Sequence, residues 1–332
     1  QWVHEVDTSQ YTHTGKQTVG EFINYYLDDY LLTRDVSANT IKTYTSLLKI
    51  TSEIANIPLQ DIKSKELTKF FAQKEKQGTG KNTRKQLLTL LKTIFSLAVD
   101  EERISKNPFR KTTVKTIELD KEDIPSWTPG EWAEFLTATR DLHPEFVDLY
   151  QIMASSAMGS AEALGLRWAD IDFDKKSYSI KRNRTRFGIG KTKNIYRNRE
   201  LPLSEFAFEI FKDVKEQQET WAIAGAWKDK TVRPGSPECS VFTLRDGTEI
   251  PYAQPGLAFS RIRKINKLPV FTLHKVRKLF ASWAQEQGAS TFETARILGH
   301  STPSTTEQHY TSISDQRLRE VGNMVGDQLK GA

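Results

Sequence analysis

An apolar stripe between residues 87 and 98 constrains the fold more than any other feature of the sequence. Leu87, Leu91, Ile94 and Ala98 recur at intervals of four, three and four residues. This spacing places the four side chains on one face of an α-helix, since a helical turn takes about 3.6 residues. The helix has to end before Asn107-Pro108, because a proline disfavours the helical conformation in the residue before it. We therefore predict a buried helix whose stripe belongs to a core.

Further helical patterns precede this stripe. Apolar residues recur at helical spacing over residues 18–32, a helix start follows Ser37, and a short helix is predicted over residues 64–74. Residues 111–126 show no strong periodicity and are predicted to form a linker. We therefore predict a small all-helical domain over residues 1–110, with ordered helices from about residue 18.

The rest of the chain, residues 127–332, predicts a mixed domain. Thr128 and Pro129 mark a helix start, since threonine is a common N-cap and proline is favoured at the first helical position. Short apolar segments predict strands at residues 171–173, 178–180 and 200–203. A long basic hairpin over residues 181–199 is predicted to join the second strand to the third. The predicted fold class is mainly α with a small antiparallel β-sheet.

Composition narrows the class of protein. With 37% hydrophobic residues the chain can bury a sizeable core and is not wholly disordered. No stretch approaches the roughly 18 consecutive apolar residues of a transmembrane helix, and the first five residues lack a signal-peptide pattern. The single cysteine, Cys239, excludes a disulfide framework and a cysteine-cluster metal site. We therefore expect a cytoplasmic protein with no membrane partner and no bound metal.

Basic residues are concentrated in two runs that contain no Asp or Glu. Ten Lys or Arg lie between Lys175 and Arg199, and seven lie between Arg261 and Lys278. Either run alone is often only a solvated face. Two such runs, far apart in sequence, favour a shared surface that faces phosphates. The net charge of +6 is compatible with nucleic-acid binding but does not by itself establish it.

Residues suited to phosphate chemistry are spaced in a fixed order near the end of the chain. His274 and Arg277 are three residues apart and so are neighbours on one helix face. Leu298-Gly299-His300 ends 23 residues after Arg277, and Tyr310 follows ten residues later. A His-x-x-Arg pair alone is a weak signal, but the whole string is specific. It resembles the pattern of the tyrosine recombinases, the phage integrase family.

The resemblance extends over about residues 18–320, nearly the whole chain. Residues 162–172, Glu-Ala-Leu-Gly-Leu-Arg-Trp-Ala-Asp-Ile-Asp, are similar to the first box of the family, and Lys191-Thr192-Lys193 is similar to its catalytic lysine element. Lys106-Asn107-Pro108 is similar to the usual end of the family's helical domain. The resemblance implies the two-domain tyrosine-recombinase architecture, in which a helical core-binding domain and a mixed α/β catalytic domain clamp DNA from two faces.

This resemblance implies a site-specific recombinase or integrase that cuts and rejoins duplex DNA through a 3′-phosphotyrosine intermediate, and so integrates or excises a mobile element. Such a reaction needs no ATP and no cofactor, because the covalent ester conserves the bond energy. The implied assembly is a homotetramer on two DNA duplexes, in which a tail over residues 314–332 docks onto a neighbour. Accessory DNA-bending or directionality proteins are further implied partners, and the nucleoid of a bacterial or phage-infected cell is the implied location.

The same resemblance assigns roles to single residues. The implied catalytic set is Tyr310, Arg277, His274, His300 and Lys191, with Glu162 in support and Lys193 as the alternative lysine. The tyrosine is the nucleophile at phosphorus, the arginine a planar fork for phosphate, and the histidines hydrogen-bond donors or proton carriers. The lysine protonates the leaving 5′ oxygen. The predicted DNA contacts are Lys81, Arg84, Lys85, Lys181, Arg182, Arg184, Arg186, Arg261, Arg263, Lys264 and Lys275.

One position departs from the family pattern. The first box usually begins Thr-Gly-x-Arg, and its arginine is a second phosphate clamp, whereas this chain reads Ser156-Ala157-Met158-Gly159. Gly159 thus has the place of the arginine, and Arg167 matches a non-catalytic position. Loss of that guanidinium costs on the order of a hundredfold in rate unless another cation serves. Gly159 therefore favours, as the alternative function, an impaired recombinase that only binds DNA or represses transcription; a relaxing topoisomerase is a third possibility.

Overall fold

The computed structural model describes residues 17–34, 36–109, 126–191, 198–228, 231–299 and 313–331. The chain divides into two compact units, Gln1–Glu122 and Asp123–Ala332. The predicted linker, residues 111–126, lies outside the described residues except at Ser126. Within the described parts of the chain, no helix is both long enough and apolar enough to cross a membrane.

The first unit is all-helical in its described part. Its α-helices are α1 Val19–Tyr25, α2 Ala38–Leu48, α3 Ser64–Lys76 and α4 Lys81–Asp100. A π-helical turn, Tyr26–Tyr30, and a 3₁₀ turn, Leu31–Thr33, extend α1, so the predicted helix over residues 18–32 is present but irregular. The side chain of Ser37 accepts a hydrogen bond from Thr40 N and caps α2, which confirms the predicted helix start.

The predicted apolar stripe lies in the core of this unit. Leu87, Leu91, Ile94 and Ala98 on α4 are all at most 1% exposed, so their assignment to the core is confirmed. The helix ends at Asp100, and the side-chain amide of Asn107 then donates to Lys92 O and Ser96 Oγ. These hydrogen bonds hold the segment at Asn107-Pro108, the predicted end of the helical domain, against α4.

The second unit combines eight α-helices with two small sheets in its described part. Its helices are α5 Pro129–Leu142, α6 Val147–Ser156, α7 Ser160–Ala163, α8 Glu205–Ile223, α9 Gln254–Ile265, α10 Val276–Glu286, α11 Thr291–Leu298 and α12 Asp315–Lys330. Thr128 caps α5 with Pro129 at its first position, as predicted. The core includes Trp127, whose ring lies 4.9 Å from that of Phe271. Trp283 Nε1 donates to Trp127 O, which ties α10 to the start of the unit.

The strands of the second unit are β1 Ile171–Asp172, β2 Ser177–Ile180, β3 Arg182–Thr185, β4 Gly188–Lys191 and β5 Arg199–Pro202. The strands β1, β2 and β5 form one antiparallel sheet in the order β1-β2-β5. The bounds of these three strands agree with the predicted ones to within one residue, so the three predicted strands are confirmed. Within the sheet, Ile180 lies opposite Arg199. This sheet holds the start of β5 against the end of β2.

The predicted basic hairpin between the second and third strands is confirmed in its described part, where residues 182–191 form a second small sheet. Strands β3 and β4 pair with each other, with Arg182 opposite Lys191 and Thr185 opposite Gly188. Gly188 has a φ of +103°, a conformation that glycine adopts readily, and Phe187 N donates to Thr185 Oγ1 in the turn. The two strands of this hairpin were not predicted, because they are rich in Arg and Lys and lack an apolar pattern.

The predicted docking tail is seated on its own unit in this structure. Helix α12 buries Leu318, Val321, Val325 and Leu329 and contacts α6, α8, α10 and β5. A Cβ placed on Gly326 would lie 2.8 Å from Phe206 Cβ, so only glycine allows α12 to approach α8 this closely. Asn323 Oδ1 accepts from Glu205 N at 2.9 Å. Docking onto a neighbour stays a prediction.

We expect Asp148→Asn to stabilise the second unit at neutral pH. Asp148 lies on α6, where burial and then the charge of Asp213 raise its pKa from 3.8 to about 6, against an opposing effect of Arg140. Asp148 therefore binds a proton more tightly in the folded state than in the unfolded state, so its contribution to stability is greatest below pH 3.8 and is lost as pH rises through about 6. At pH 7.5 the variant should gain about 1–2 kcal/mol, an amount discounted for partial solvent exposure.

The measurement is urea unfolding at pH 4, 6 and 7.5, followed by tryptophan fluorescence. The stability difference between the variant and the unaltered chain should shift in favour of the variant as pH rises from 4 to 6. Asp141→Asn, an exposed change on α5, is the matched control and should show no such shift. Equal pH profiles for Asp148→Asn and the unaltered chain would contradict the prediction.

Candidate active site

The turn between α6 and α7 has an unusual backbone. Helix α6 ends at Ser156, and Ala157 follows with φ +52° and ψ +27°, the left-handed region that glycine prefers. Gly159 is extended, with φ −75° and ψ +154°, and begins α7. Tyr178 of β2 donates to Ser156 O at 3.4 Å from beneath, and burial raises the pKa of its hydroxyl to about 12. The turn that carries the departure from the family pattern is thus fixed by packing.

Glu162 on α7 is the centre of a buried polar cluster. Its Oε2 accepts from Gly159 N at 3.0 Å, from Arg277 Nη1 at 3.2 Å and from Arg199 Nη2 at 3.3 Å. Arg199 Nη1 also donates to Oε1 at 3.4 Å. The three side chains are between 1% and 8% exposed. One carboxylate therefore holds two guanidinium groups and the backbone of the turn together.

The cluster carries a positive charge. Burial alone would raise the pKa of Glu162, but attraction by Arg199 and then Arg277 outweighs it, and the pKa lies below its usual value. Glu162 is therefore ionised at neutral pH. Within the described residues of this cluster, two arginines and one carboxylate leave one net positive charge in a buried place, which is the polarity that a phosphate group requires.

Arg277 and His274 lie on either side of a helix junction. A 3₁₀ turn, Leu273–Lys275, runs directly into α10, and Arg277 is in the first turn of that helix. His274 is exposed, whereas Arg277 is buried and directed to Glu162. His274 is therefore accessible to a ligand from the solvent side, while Arg277 is anchored behind it by Glu162.

The described residues leave room for a larger side chain at position 159. Among the described residues, the only atom within 4 Å of a Cβ placed on Gly159 is Glu162 Oε2, at 3.9 Å. The φ of Gly159 is one that any residue adopts. A side chain there would start beside the carboxylate that holds Arg277.

The remaining predicted catalytic residues fall mainly outside the described residues. His300, Tyr310 and Lys193 are in this group, and so is the side chain of Lys191, whose backbone ends β4. The described chain reaches Gly299, which ends α11 with a φ of +62°, the left-handed conformation of a helix C-cap. The structure therefore brings together Gly159, Glu162 and Arg277 of the predicted set, with His274 three residues before Arg277.

Two family models match this chain. The model described as phage integrase family matches residues 134–317, more than half of the chain. The model described as phage integrase SAM-like domain matches residues 18–114. The chain belongs to the phage integrase family.

Relatives and solved structures agree with this membership. A tyrosine recombinase XerC-like protein of Caldanaerobacter subterraneus is 26% identical over 93% of this chain and 83% of its own length. The ICEBs1 integrase of Bacillus subtilis is 22% identical over 92% of this chain and 78% of its own length. The Tn1549 transposon integrase in complex with circular intermediate DNA has a TM-score of 0.70 at 21% identity, covering 92% of this chain and 98% of that one.

These comparisons confirm the predicted family and the predicted two-domain fold class. A lambda integrase dimer bound to a core site shares the fold as well, with a TM-score of 0.69 at 17% identity over 90% of this chain and 99% of that one. As a member of the phage integrase family, the chain is a tyrosine recombinase, a DNA strand transferase.

The predicted DNA contacts divide into two groups in this integrase-family chain. The exposed residues are Lys81, Lys181, Arg186, Arg261 and Lys264. Others make internal contacts: Arg182 pairs with buried Asp170, Arg184 with Glu249, and Arg84 with Glu75. Arg263 Nη1 donates to Leu268 O, and Lys85 and Lys275 are half-buried. Part of the first basic run therefore forms ion pairs within the folded unit.

Arg199 is not among the predicted site residues. In the sequence it is only the last member of a basic run, yet its side chain is buried against Glu162. The available signal was strand alternation, because in β5 the residues Arg199 and Leu201 share the buried face while Glu200 is exposed. An arginine at a core-facing strand position requires a buried anionic partner.

Proposed function

We propose that this chain is a site-specific recombinase that integrates or excises a mobile element by cutting and rejoining duplex DNA through a 3′-phosphotyrosine at Tyr310. The observation that carries the proposal is the buried Glu162 cluster, which presents Arg277 with a net positive charge in a chain of the phage integrase family. A cluster of this polarity suits the developing charge of a phosphoryl transfer.

The chemistry assigned to the side chains is a reversible transesterification. The Tyr310 hydroxyl gives its proton to a histidine, His274 or His300, and its oxygen attacks phosphorus to form a tyrosine ester with the 3′ phosphate, while the bond from phosphorus to the 5′ oxygen breaks. Lys191, or Lys193 in its place, gives a proton to that leaving oxygen. Arg277, His274 and His300 hold the non-bridging oxygens. Attack by a 5′ hydroxyl of another strand then releases the tyrosine and rejoins the DNA.

DNA binding by the first unit is supported by a groove between α2 and α4. It is lined by Thr43, Tyr44, Leu47, Asn82, Lys85, Gln86, Thr89, Leu90 and Thr93. Hydroxyl and amide side chains of this kind hydrogen-bond base edges and phosphates, and the lysine adds positive charge. We infer that this groove faces duplex DNA.

Assembly is proposed by analogy with a structural neighbour. Lambda integrase has been solved as a tetramer bound to a Holliday junction, and this chain matches it with a TM-score of 0.68 at 17% identity. We infer that the chain acts as a homotetramer on two duplexes. Accessory DNA-bending or directionality proteins, and a place on the nucleoid of a bacterial or phage-infected cell, belong to the same proposal.

A nicked suicide DNA tests the function. The DNA carries a candidate attachment site with a nick just 3′ of the cleavage position. Cleavage frees the short fragment between the cleavage position and the nick, which carries the 5′ hydroxyl. This fragment diffuses away, so the covalent complex accumulates. We expect a protein–DNA adduct stable to detergent, with the modified peptide containing Tyr310. Absence of any adduct, with DNA binding intact, would favour the alternative of an impaired, binding-only protein that Gly159 raises.

We expect DNA affinity to fall steeply with salt. If about eight phosphates are contacted, the logarithm of the binding constant should fall with the logarithm of salt concentration at a slope near −7. Lys85→Ala, in the groove, should make the slope shallower by about 1, whereas Lys69→Ala, exposed on α3 outside the groove, should not. A slope shallower than about −2 for the unaltered chain would mean that the basic runs face solvent.

A further inference from the structure

The charge of Arg277 is opposed by its own partner. Arg277 Nη1 lies 3.2 Å from Glu162 Oε2, and both side chains are buried. The charge of Glu162 offsets part of the attraction that Arg277 exerts on an approaching phosphate. With glycine at position 159, the adjoining turn adds no side-chain charge. The Arg277–Glu162 pair alone therefore attracts a phosphate less strongly than an arginine without a carboxylate partner would.

Arg199 changes this balance. Its two terminal nitrogens lie 3.4 Å from Oε1 and 3.3 Å from Oε2 of Glu162, and only 4% of its side chain is exposed. Strand β5 is held by its pairing with β2, where Arg199 lies opposite Ile180. The second guanidinium is thus positioned by a sheet, and it gives the cluster its net positive charge.

We propose that Arg199 is a positioning residue for strand transfer, which holds Glu162 and balances its charge so that Arg277 remains attractive to the scissile phosphate. The proposal rests on the proposed function. Arg199 supplies the charge that Gly159 lacks, and it acts through Glu162 and Arg277 rather than by touching DNA.

The shared carboxylate explains how this works. Because Arg199 donates to both oxygens of Glu162, the carboxylate meets Arg277 through Oε2. Without Arg199, we expect Glu162 to bind Arg277 through both oxygens, the geometry that carboxylates and guanidinium groups favour. That pairing would turn the Arg277 donors away from a phosphate and neutralise their charge.

Single-turnover cleavage of the suicide DNA by three variants tests the proposal. Arg199→Gln should lower the cleavage rate about a hundredfold, the usual effect of losing one group that stabilises transition-state charge. Arg199→Lys keeps the charge but not the fork and should lose less. Arg167→Gln, which breaks the ion pair with Glu238 in the same unit, is the matched control and should cleave at the rate of the unaltered chain.

A substrate without the phosphate charge separates an electrostatic role from a structural one. Replacing one non-bridging oxygen of the scissile phosphate by a methyl group removes its negative charge and hence the need for a cation. On this substrate we expect Arg199→Gln and the unaltered chain to cleave at similar rates. A defect of equal size on both substrates would overturn the proposal, because misfolding lowers both rates alike. If Arg199→Gln does not fold, the same comparison is made with Arg199→Lys.

Gly159→Arg provides an independent check. A guanidinium placed there adds positive charge beside Glu162, so the Arg199→Gln defect should be several-fold smaller in the Gly159→Arg background. Full additivity of the two changes would count against a shared role. An adduct with the unaltered chain but no effect of Arg199→Gln would overturn this inference alone, whereas no adduct with any variant or substrate would overturn the proposed function itself.

Discussion

Tyr310→Phe is expected to abolish the covalent protein–DNA adduct while leaving DNA affinity nearly unchanged. Phenylalanine lacks the oxygen that forms the phosphotyrosine bond, so no slower version of the same step remains. Binding depends instead on many phosphate contacts, which a single hydroxyl barely alters. The adduct is measured by denaturing electrophoresis on nicked suicide DNA, and affinity by titration at fixed salt.

Tyr252→Phe is the matched control for this change. Tyr252 is an exposed tyrosine of the same unit, 40% accessible to solvent, and its hydroxyl has no part in the proposed reaction. We expect its adduct yield to equal that of the unaltered chain. An adduct with Tyr310→Phe would remove Tyr310 from the mechanism and require another nucleophile.

Gly159→Arg is expected to lower the activation free energy of cleavage by at least about 2 kcal/mol, which raises the cleavage rate roughly thirtyfold. The described residues leave room for the side chain at this position, and the new guanidinium would begin beside the carboxylate that holds Arg277. A direct clamp on the phosphate stabilises charge that grows during transfer, whereas ground-state affinity is already supplied by many other cations. The comparison is single-turnover cleavage by the two chains, with affinity measured in parallel.

Gly159→Met separates charge from bulk. Methionine fills a similar length without a cation, so it should give no gain over glycine. Equal rates for Gly159→Arg and the unaltered chain, with both proteins folded, would mean that the first box is aligned wrongly or that existing cations already suffice. No cleavage by either chain would favour a binding-only protein.

The parts of the fold that sequence predicted well are those with local causes. Thr128 with Pro129 and Ser37 begin helices through contacts within four residues, so the signals are complete in the sequence. The stripe on α4 is equally local, because burial of one helix face needs only the right period. The basic hairpin over residues 181–199 was predicted, but its strands β3 and β4 were not, because they are basic and strand patterns are recognised by apolar residues.

The candidate site was predicted in part for a different reason. Arg277, His274 and Glu162 were identified by resemblance to a family pattern. The contact between Arg199 and Glu162 joins residues 37 positions apart through the register of β2 and β5. No local signal specifies that register, so the cluster could be described only once the sheet was known. The basic run that contains Arg199 was predicted to face phosphates, whereas the side chain of Arg199 itself is buried.

The packing of α12 on its own unit limits the exchange of this helix between subunits. Because α12 belongs to the same chain as the surface it packs on, its effective concentration at that surface is in the millimolar range, as for any short linkage. The tail of another molecule, arriving at micromolar concentration, has to displace it and would lose by roughly a thousandfold. The small residues that let α12 approach α8 closely make the resident helix a strong competitor. Exchange of tails is therefore expected only where a DNA site gathers subunits to comparable local concentration, which would tie assembly of the oligomer to the presence of its substrate.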